Sequence, residues 1–346
     1  MKIIYDDIIY SLQRSGGISL YWSKLETYLN QNIRLLYRNH EDNIFYSSSS
    51  AAKQIISKNL IILERYTNVA VLEKTPFLFH SSYFRYCKNK NAINITTVHD
   101  FVYEYFRHDL KSVAHKVQKR KAISNSQGVI FVSESTKKDF EFFFPDFKGK
   151  KKIIYHGIAA EYTNLSLPKK NNVIFIGGRA NYKNFIHALK IMQKMAQFTL
   201  QIIGGGHLSK EEIICLNKYI PGRYEYYQSL SNEELNLKYN EAYFLLYPSL
   251  YEGFGFPVVE AQSARCPVVC CYISSLPEVA GDAAVYISGK DIDDDLKKVS
   301  QLDDKNTYNA LCEKGLENCK KFTWKKCAEE TYDFYEELYE LYKGKG

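Results

Sequence analysis

At 346 residues the chain is too long for one ordinary core, so two domains are expected. With 45% hydrophobic and 25% charged residues it is neither disordered nor fibrous. A net charge of +7, from 46 bases against 39 acids, is too slight for a dedicated nucleic-acid binder and fits an anionic ligand or a membrane surface.

The opening MKIIYDDIIYSL has too few apolar residues and too many acids for a signal peptide, and no later apolar run is long enough to span a bilayer. A cytoplasmic, non-spanning protein is expected. In chain order, strands or strand ends are predicted at MKIIYDDIIY, NLIILE, FLFHSS, NITTVHD, GVIFVSE and KKIIYHGI. In VSESTKKDF, Ser133 reads as a helix cap. The polar stretch TNLSLPKKNN, residues 163–172, marks the domain boundary. The second half restarts with NVIFIGG, an amphipathic stretch from Asn184 to Met195, TLQIIGGG, a helix around Glu211 to Tyr219, YEYYQSL and a helix from Asn232 to Ala242. YFLLYPS, the turn and helix of EGFGFPVVEAQSA, PVVCCY and AAVYIS complete six strand candidates, and Trp324 to Lys343 reads as one long amphipathic helix.

Short β-branched runs alternating with helical patterns predict a parallel α/β architecture of two Rossmann-like domains, with a cleft between them as the default ligand site. The expected division is 1–165, 166–323 and a final helix 324–346 that returns to the first domain. The eight cysteines lack metal-binding spacing, and Cys270 with Cys271 sits in an apolar run, so buried free thiols are expected.

In QRSGGISLYW, Gly16 and Gly17 join the first strand to its helix. FLFHSSYFR carries His80, Ser81 and Ser82. TTVHDF places His99 and Asp100 at the carboxyl end of a strand, where open α/β sheets hold their ligands. Between Lys111 and Lys121, the bases Lys111, Lys116, Lys119, Arg120 and Lys121 surround Val113, Ala114 and Val117. That pattern suits either anionic lipid or a solvated face.

VIFIGGRANYKNF sets Gly178, Arg179 and Lys183 just beyond a strand. Two cations at a helix start oppose the dipole unless an anion is present, and they are placed to neutralise a diphosphate. In YPSLYEGFGFPVVE, a strand ends in a glycine-rich turn, and Pro257 opens a helix whose N–H groups favour an anion. Glu252 and Glu260, with seven residues between them, can reach opposite ends of one ligand. The structural alternatives are a turn-capping Glu252 and a solvated Glu260.

This segment resembles the ExxxxxxxE signature of glycosyltransferase family 4, and LPEVAGDAAVYI follows at the distance seen in that family. VIFIGGRANYKNF resembles a GxRxxYKN variant of a sugar-polymer subgroup, similar to mannosyltransferases of O-antigen and capsule assembly. The resemblance runs from Gly16 to the final helix and implies the glycosyltransferase B fold, with the acceptor on the first domain and a nucleotide sugar on the second. It implies that Glu252 holds hydroxyls of the transferred sugar and Glu260 the ribose. Gly253, Phe254 and Gly255 would line sugar and phosphate. Gly16 and Gly17 would approach the diphosphate, His99 the donor sugar, and His80, Ser81 and Asp100 the acceptor. Arg265 departs from the pattern where a glycine is usual, which puts the end of that helix in question.

The implied activity is a retaining, metal-independent hexosyl transfer from a nucleoside-diphosphate sugar to a hydroxyl of a glycan or glycolipid. GDP-mannose or another GDP-hexose is favoured, and a UDP-sugar is open. Arg179, Lys183, Glu252 and His99 would carry the chemistry, with no cofactor. No acidic metal box occurs at a strand end, Asp293 to Asp295 lying in a polar late segment. The alternatives are a nucleotide-sugar epimerase or phosphorylase of the same architecture, or a catalytically silent sugar-binding protein.

Overall fold

Strands of a parallel sheet covered on both faces need apolar side chains on both sides, which is why they read as short unbroken hydrophobic runs. The computed structural model describes residues 1–14, 16–29, 33–37, 43–45, 54–55 and 64–344. Its first seven strands are β1 (Ile3–Asp6), β2 (Ile33–Tyr37), β3 (Gln54–Ile55), β4 (Phe77–Ser81), β5 (Ala92–Val98), β6 (Gly128–Phe131) and β7 (Lys150–Ile153). They form one parallel sheet in the order β3-β2-β1-β4-β5-β6-β7. A second parallel sheet contains β8 (Asn172–Ile176), β9 (Thr199–Ile203), β10 (Tyr224–Tyr227), β11 (Phe244–Tyr247), β12 (Val268–Cys271) and β13 (Ala284–Ile287), in the order β10-β9-β8-β11-β12-β13. In each sheet the order reverses beside the first strand, and that switch point opens a crevice at the carboxyl ends of two neighbouring strands.

The strand expected at MKIIYDDIIY stops at Asp6, and residues Ile9–Leu12 form a short helix. Strands β2 and β3 were not among those expected, and residues 59–63 of NLIILE lie outside the described residues. The second half follows its pattern closely, with helices at Phe185–Lys194, Lys210–Tyr219 and Asn232–Glu241. Ser133 caps its helix by accepting from the Thr136 N–H at 3.0 Å.

The chain divides into a first unit, Met1–Gly157 with Trp324–Gly346, and a second, Ile158–Thr323. The division therefore falls after Gly157 rather than at residue 165. Residues 158–165 lack the freedom of a linker because buried asparagines of helix Asn232–Glu241 hold their backbone. The Thr163 N–H donates to Asn236 Oδ1 at 3.1 Å and the Leu165 N–H to Asn240 Oδ1 at 2.6 Å. The final helix, Trp324–Tyr342, packs on helix Gly17–Leu29 within the first unit and buries Phe334, Tyr335 and Leu338. All eight cysteines are free thiols, seven of them buried. No described helix is long and apolar enough to cross a membrane.

Candidate functional site

In the second unit, β8 and β11 are adjacent and their carboxyl-end loops are laced together. The Leu250 N–H donates to the Tyr182 carbonyl at 2.7 Å. Lys183 lies in a single turn of 3-10 helix, Asn181–Lys183, and Asn184 takes a left-handed conformation before the next helix starts at Phe185. The Lys183 ammonium donates to Glu252 Oε1 at 2.5 Å and to the Tyr247 hydroxyl at 3.2 Å. The Glu252 backbone is fixed by Ser274 and Ser275: its N–H donates to Ser274 Oγ, and Ser275 Oγ donates to the carbonyls of Glu252 and Phe254, all at 2.9 Å.

The chain then turns through Gly255, whose φ of +104° is costly for any residue with a Cβ. A Cβ there would also meet Leu276 at 3.0 Å. Helix Phe256–Ser263 follows with no side-chain cap and no acid in its first turn; Pro257 brings no N–H, and the Val258 N–H donates to the Gly255 carbonyl at 3.0 Å.

Arg179 does not join Lys183. Its guanidinium donates to the carbonyls of Gly204, Gly205, Gly206 and His207 at 2.8 to 3.1 Å. Its Nε lies 2.8 Å from Glu212 Oε1, an ion pair without hydrogen-bond alignment. The two cations expected to act together are thus held apart, Lys183 against Glu252 and Arg179 against the loop after β9. That loop has three successive glycines at positive φ, and a Cβ on Gly205 would strike Arg179 at 2.5 Å. The expected clash with a helix dipole also fails, because the helix begins after Lys183 and each cation already faces a protein carboxylate.

Glu260 is 8% exposed, which rules out a solvated helix residue. Burial pushes its carboxyl up to about 7, opposed by the Tyr239 hydroxyl that donates to Oε2 at 3.2 Å. Tyr239, Tyr247 and the Ser274–Ser275 pair were missed by sequence reasoning. For Tyr247 the signal was its place as the last residue of a strand at the switch point. Arg265 sits at φ +57°, where the expected glycine would be, and the Arg265 and Cys266 N–H groups close the helix onto Gln262 and Ala261. Asp295 is fully buried, accepting from the Ser288 and Gly289 N–H groups and from His187. Among the described residues no group of three or more His, Cys, Asp or Glu is placed to hold a metal.

In the first unit the corresponding crevice is a pocket of about 260 Å³ at the ends of β1, β4 and β5, lined by Ile9, Ser81, Ser82, His99 and Asp100 among others. Gly16 and Gly17 stand at the start of helix Gly17–Leu29, between the pocket-lining Gln13 and Ile18. His80 is different. It is completely buried, with Nδ1 2.6 Å from the Tyr335 hydroxyl and Nε2 2.9 Å from Thr97 Oγ1, so it is a core residue rather than an acceptor contact. Burial and then His99 push it down to about 3. His99 stacks on His156 with ring centroids 5.5 Å apart, and burial and then Lys119 likewise lower its pKa. A neutral His99 can donate one hydrogen bond but offers no charge. Ser81 Oγ donates to Asp6 at 3.1 Å, and Asp100 accepts from the Val102 N–H at 3.0 Å. The basic stretch is helix Leu110–Ser124, but Lys119 points inward, buried and 2.9 Å from Glu104, which removes it from any lipid-facing set.

Residues 161–318 match the family described as Glycosyl transferases group 1. O-antigen chain mannosyltransferase B of Escherichia coli is 31% identical over 165 residues, covering 46% of this chain but only 43% of that one. An uncharacterized glycosyltransferase of Methanocaldococcus jannaschii is 26% identical across 98% of this chain and 99% of its own. Among solved structures, sucrose-phosphate synthase from Thermosynechococcus elongatus superposes with a TM-score of 0.75 at 17% identity, covering 99% of this chain and 100% of that one, which establishes a shared fold.

Proposed function

We propose that this chain, whose residues 161–318 match the glycosyl transferases of group 1, is a glycosyltransferase that moves a mannosyl group from GDP-mannose to a hydroxyl of a glycan or glycolipid, retaining anomeric configuration and using no metal. Similarity to an O-antigen chain mannosyltransferase supports the sugar and the kind of acceptor. The observation that carries the reading is Lys183, held 2.5 Å from Glu252 where the loops after β8 and β11 meet.

Donor binding exchanges these partners. Lys183 leaves Glu252 for the diphosphate, and Glu252 then accepts from hydroxyls of the transferred sugar. Glu260 accepts from the ribose, while the backbone of Gly253, Phe254 and Gly255 faces sugar and phosphate. His99 donates to the sugar, and Ser81 and Asp100 meet the acceptor. As the bond from C1 to the diphosphate breaks, Lys183 stabilises the charge on the leaving oxygen. The acceptor oxygen bonds to C1 from the same face and its proton passes to that oxygen. Glu252 and Glu260 are each engaged in binding roles, which favours this course over a covalent glycosyl-enzyme. Arg179 acts as a positioning residue through the loop Gly204–His207.

The test is product analysis by NMR with GDP- and UDP-sugar donors, with and without EDTA. An axial product from GDP-mannose at an unchanged rate in EDTA is expected, and an equatorial product overturns the retaining mechanism. The enzyme would work at the cytoplasmic face of an anionic membrane through exposed Leu110, Val113 and Val117, flanked by Lys111, Arg120 and Lys121. Salt-sensitive cosedimentation with anionic vesicles, lost when the three bases become Glu, checks this part.

A further inference from the structure

The pocket of the first unit has one wall whose polar atoms are not all satisfied among the described residues. Trp22, Tyr83, Phe84 and Tyr103 supply flat apolar surface, as a sugar ring requires, and Arg65 and His115 supply the polar part. The Arg65 guanidinium lies 4.8 Å over the Tyr83 ring and donates to the Tyr83 hydroxyl at 2.5 Å. Among the described residues it has no carboxylate partner, and its buried Nε has no hydrogen-bond partner. His115 is 6% exposed, stacked on Tyr103 with ring centroids 3.9 Å apart, and its buried Nδ1 also lacks a partner. The remaining cation of the pocket, Lys119, is already neutralised by Glu104 at 2.9 Å. Among the described residues, the guanidinium Nε of Arg65 and the Nδ1 of His115, a donor in the tautomer that carries its proton there, thus lack partners on residues that line a pocket walled by aromatic rings. A buried donor left unmade is costly, so such a wall is complementary to an oxyanion that accepts from both.

We infer that this pocket selects an acidic sugar: the acceptor unit bears a carboxylate or a phosphate that accepts from Arg65 and His115 while its ring packs on the aromatic wall. The inference rests on the reading of this unit as the acceptor side, and it makes Arg65 and His115 specificity-determining residues. Arg65 presents a planar fork suited to two oxygens at once, so lysine should replace it poorly.

The experiment is binding to the full-length protein, by thermal shift and by saturation-transfer NMR, of glucuronate, mannose 6-phosphate, mannose, acetate and inorganic phosphate. Glucuronate or mannose 6-phosphate should bind at least about tenfold more tightly than mannose, and whichever binds better identifies the anion. Arg65→Gln should weaken that binding about tenfold or more, Arg65→Lys should recover only part of it, and His115→Gln should cost less than Arg65→Gln. Equal binding of mannose and the acidic sugars, or an unchanged affinity in Arg65→Gln, overturns the proposal. Acetate or phosphate binding as tightly as the acidic sugars overturns the role of the ring. GDP-mannose binding is measured in the same samples and should be unaffected by Arg65→Gln. Its absence in wild type would sink the donor assignment while leaving the pocket result to stand alone.

Discussion

The two units share one strand order around the switch point, yet they keep opposite kinds of buried polar group at its mouth. The first gathers histidines: His80, His99, His115 and His156 all have lowered pKa values, in each case by burial first. They are threaded among Tyr21, Trp22 and Tyr103. The second gathers carboxylates, with Glu252 paired to Lys183, Glu212 to Arg179 and Asp295 to His187, and with Glu260 raised to about 7. The first unit also keeps buried ion pairs, Asp6 with Arg85 and Lys119 with Glu104, so the contrast lies in its histidines and their aromatic neighbours and not in an absence of charge. In the first pocket Lys119 is held by Glu104 and leaves Arg65 as the cation without a carboxylate among the described residues, whereas the ion pairs of the second unit can trade partners with a charged ligand.

Acid should break the comparison most visibly. A histidine with a depressed folded pKa contributes stability that is present above its unfolded value near 6.5 and lost as pH falls through the window down to about 3. Each such group costs about 1.4 kcal/mol per pH unit below that value, so several of them exceed a typical total stability within two or three units. Circular dichroism with unit-resolved hydrogen exchange should find the first unit opening between pH 6 and 4 while the second persists. Simultaneous loss of both would show that the histidines do not set acid stability.

On the proposed mechanism Lys183→Ala should lower kcat/KM by about a hundredfold or more, because it removes the donor assigned to the developing charge, and steady-state kinetics would read this. An unchanged kcat with raised KM would instead assign Lys183 to ground-state binding. Glu260 runs opposite in sign to the histidines. Its raised folded pKa gives stability that is full below about 4.5 and lost as pH rises towards 7, by roughly 3 kcal/mol. The difference in unfolding free energy between wild type and Glu260→Gln, followed from pH 5 to 8, isolates that slope. Tyr335→Phe removes the hydroxyl that bridges His80 and Tyr5 and should cost about 2 kcal/mol by urea unfolding, with donor affinity unchanged. The smallest effect is expected from Arg265→Gly, which relieves a left-handed non-glycine residue and should gain about 1 kcal/mol.

The second unit was the more legible in sequence because its six strands are short apolar runs bounded by glycine and polar turns, and β8 to β13 fall where those runs lie. The resemblance located Lys183, Glu252 and Glu260 on loops and a helix start, but charge pattern alone could not say which carboxylate each cation meets. Arg179 illustrates the limit: it stands four residues before Lys183, yet it turns to carbonyls of a loop some 25 residues later. His80 failed for the converse reason. A histidine in FLFHSS looks like a strand-end ligand, and only the tertiary return of Tyr335 to Nδ1, with Thr97 at Nε2, satisfies both ring nitrogens and makes it core. The boundary was misplaced because a polar, proline-containing stretch reads as a linker until two buried asparagines are seen to hold it.

Helix Trp324–Tyr342 gives this architecture a temporal order. The second unit is one unbroken stretch of chain, whereas the first lacks the Tyr335 hydroxyl for His80 and Tyr5, and the apolar cover of Phe334 and Leu338, until residues 324–342 have been made. Residues 1–157 thus wait for a segment that follows the whole second unit. During synthesis their open face, with His80 and Gly128 uncovered, is the surface on which a chaperone would wait.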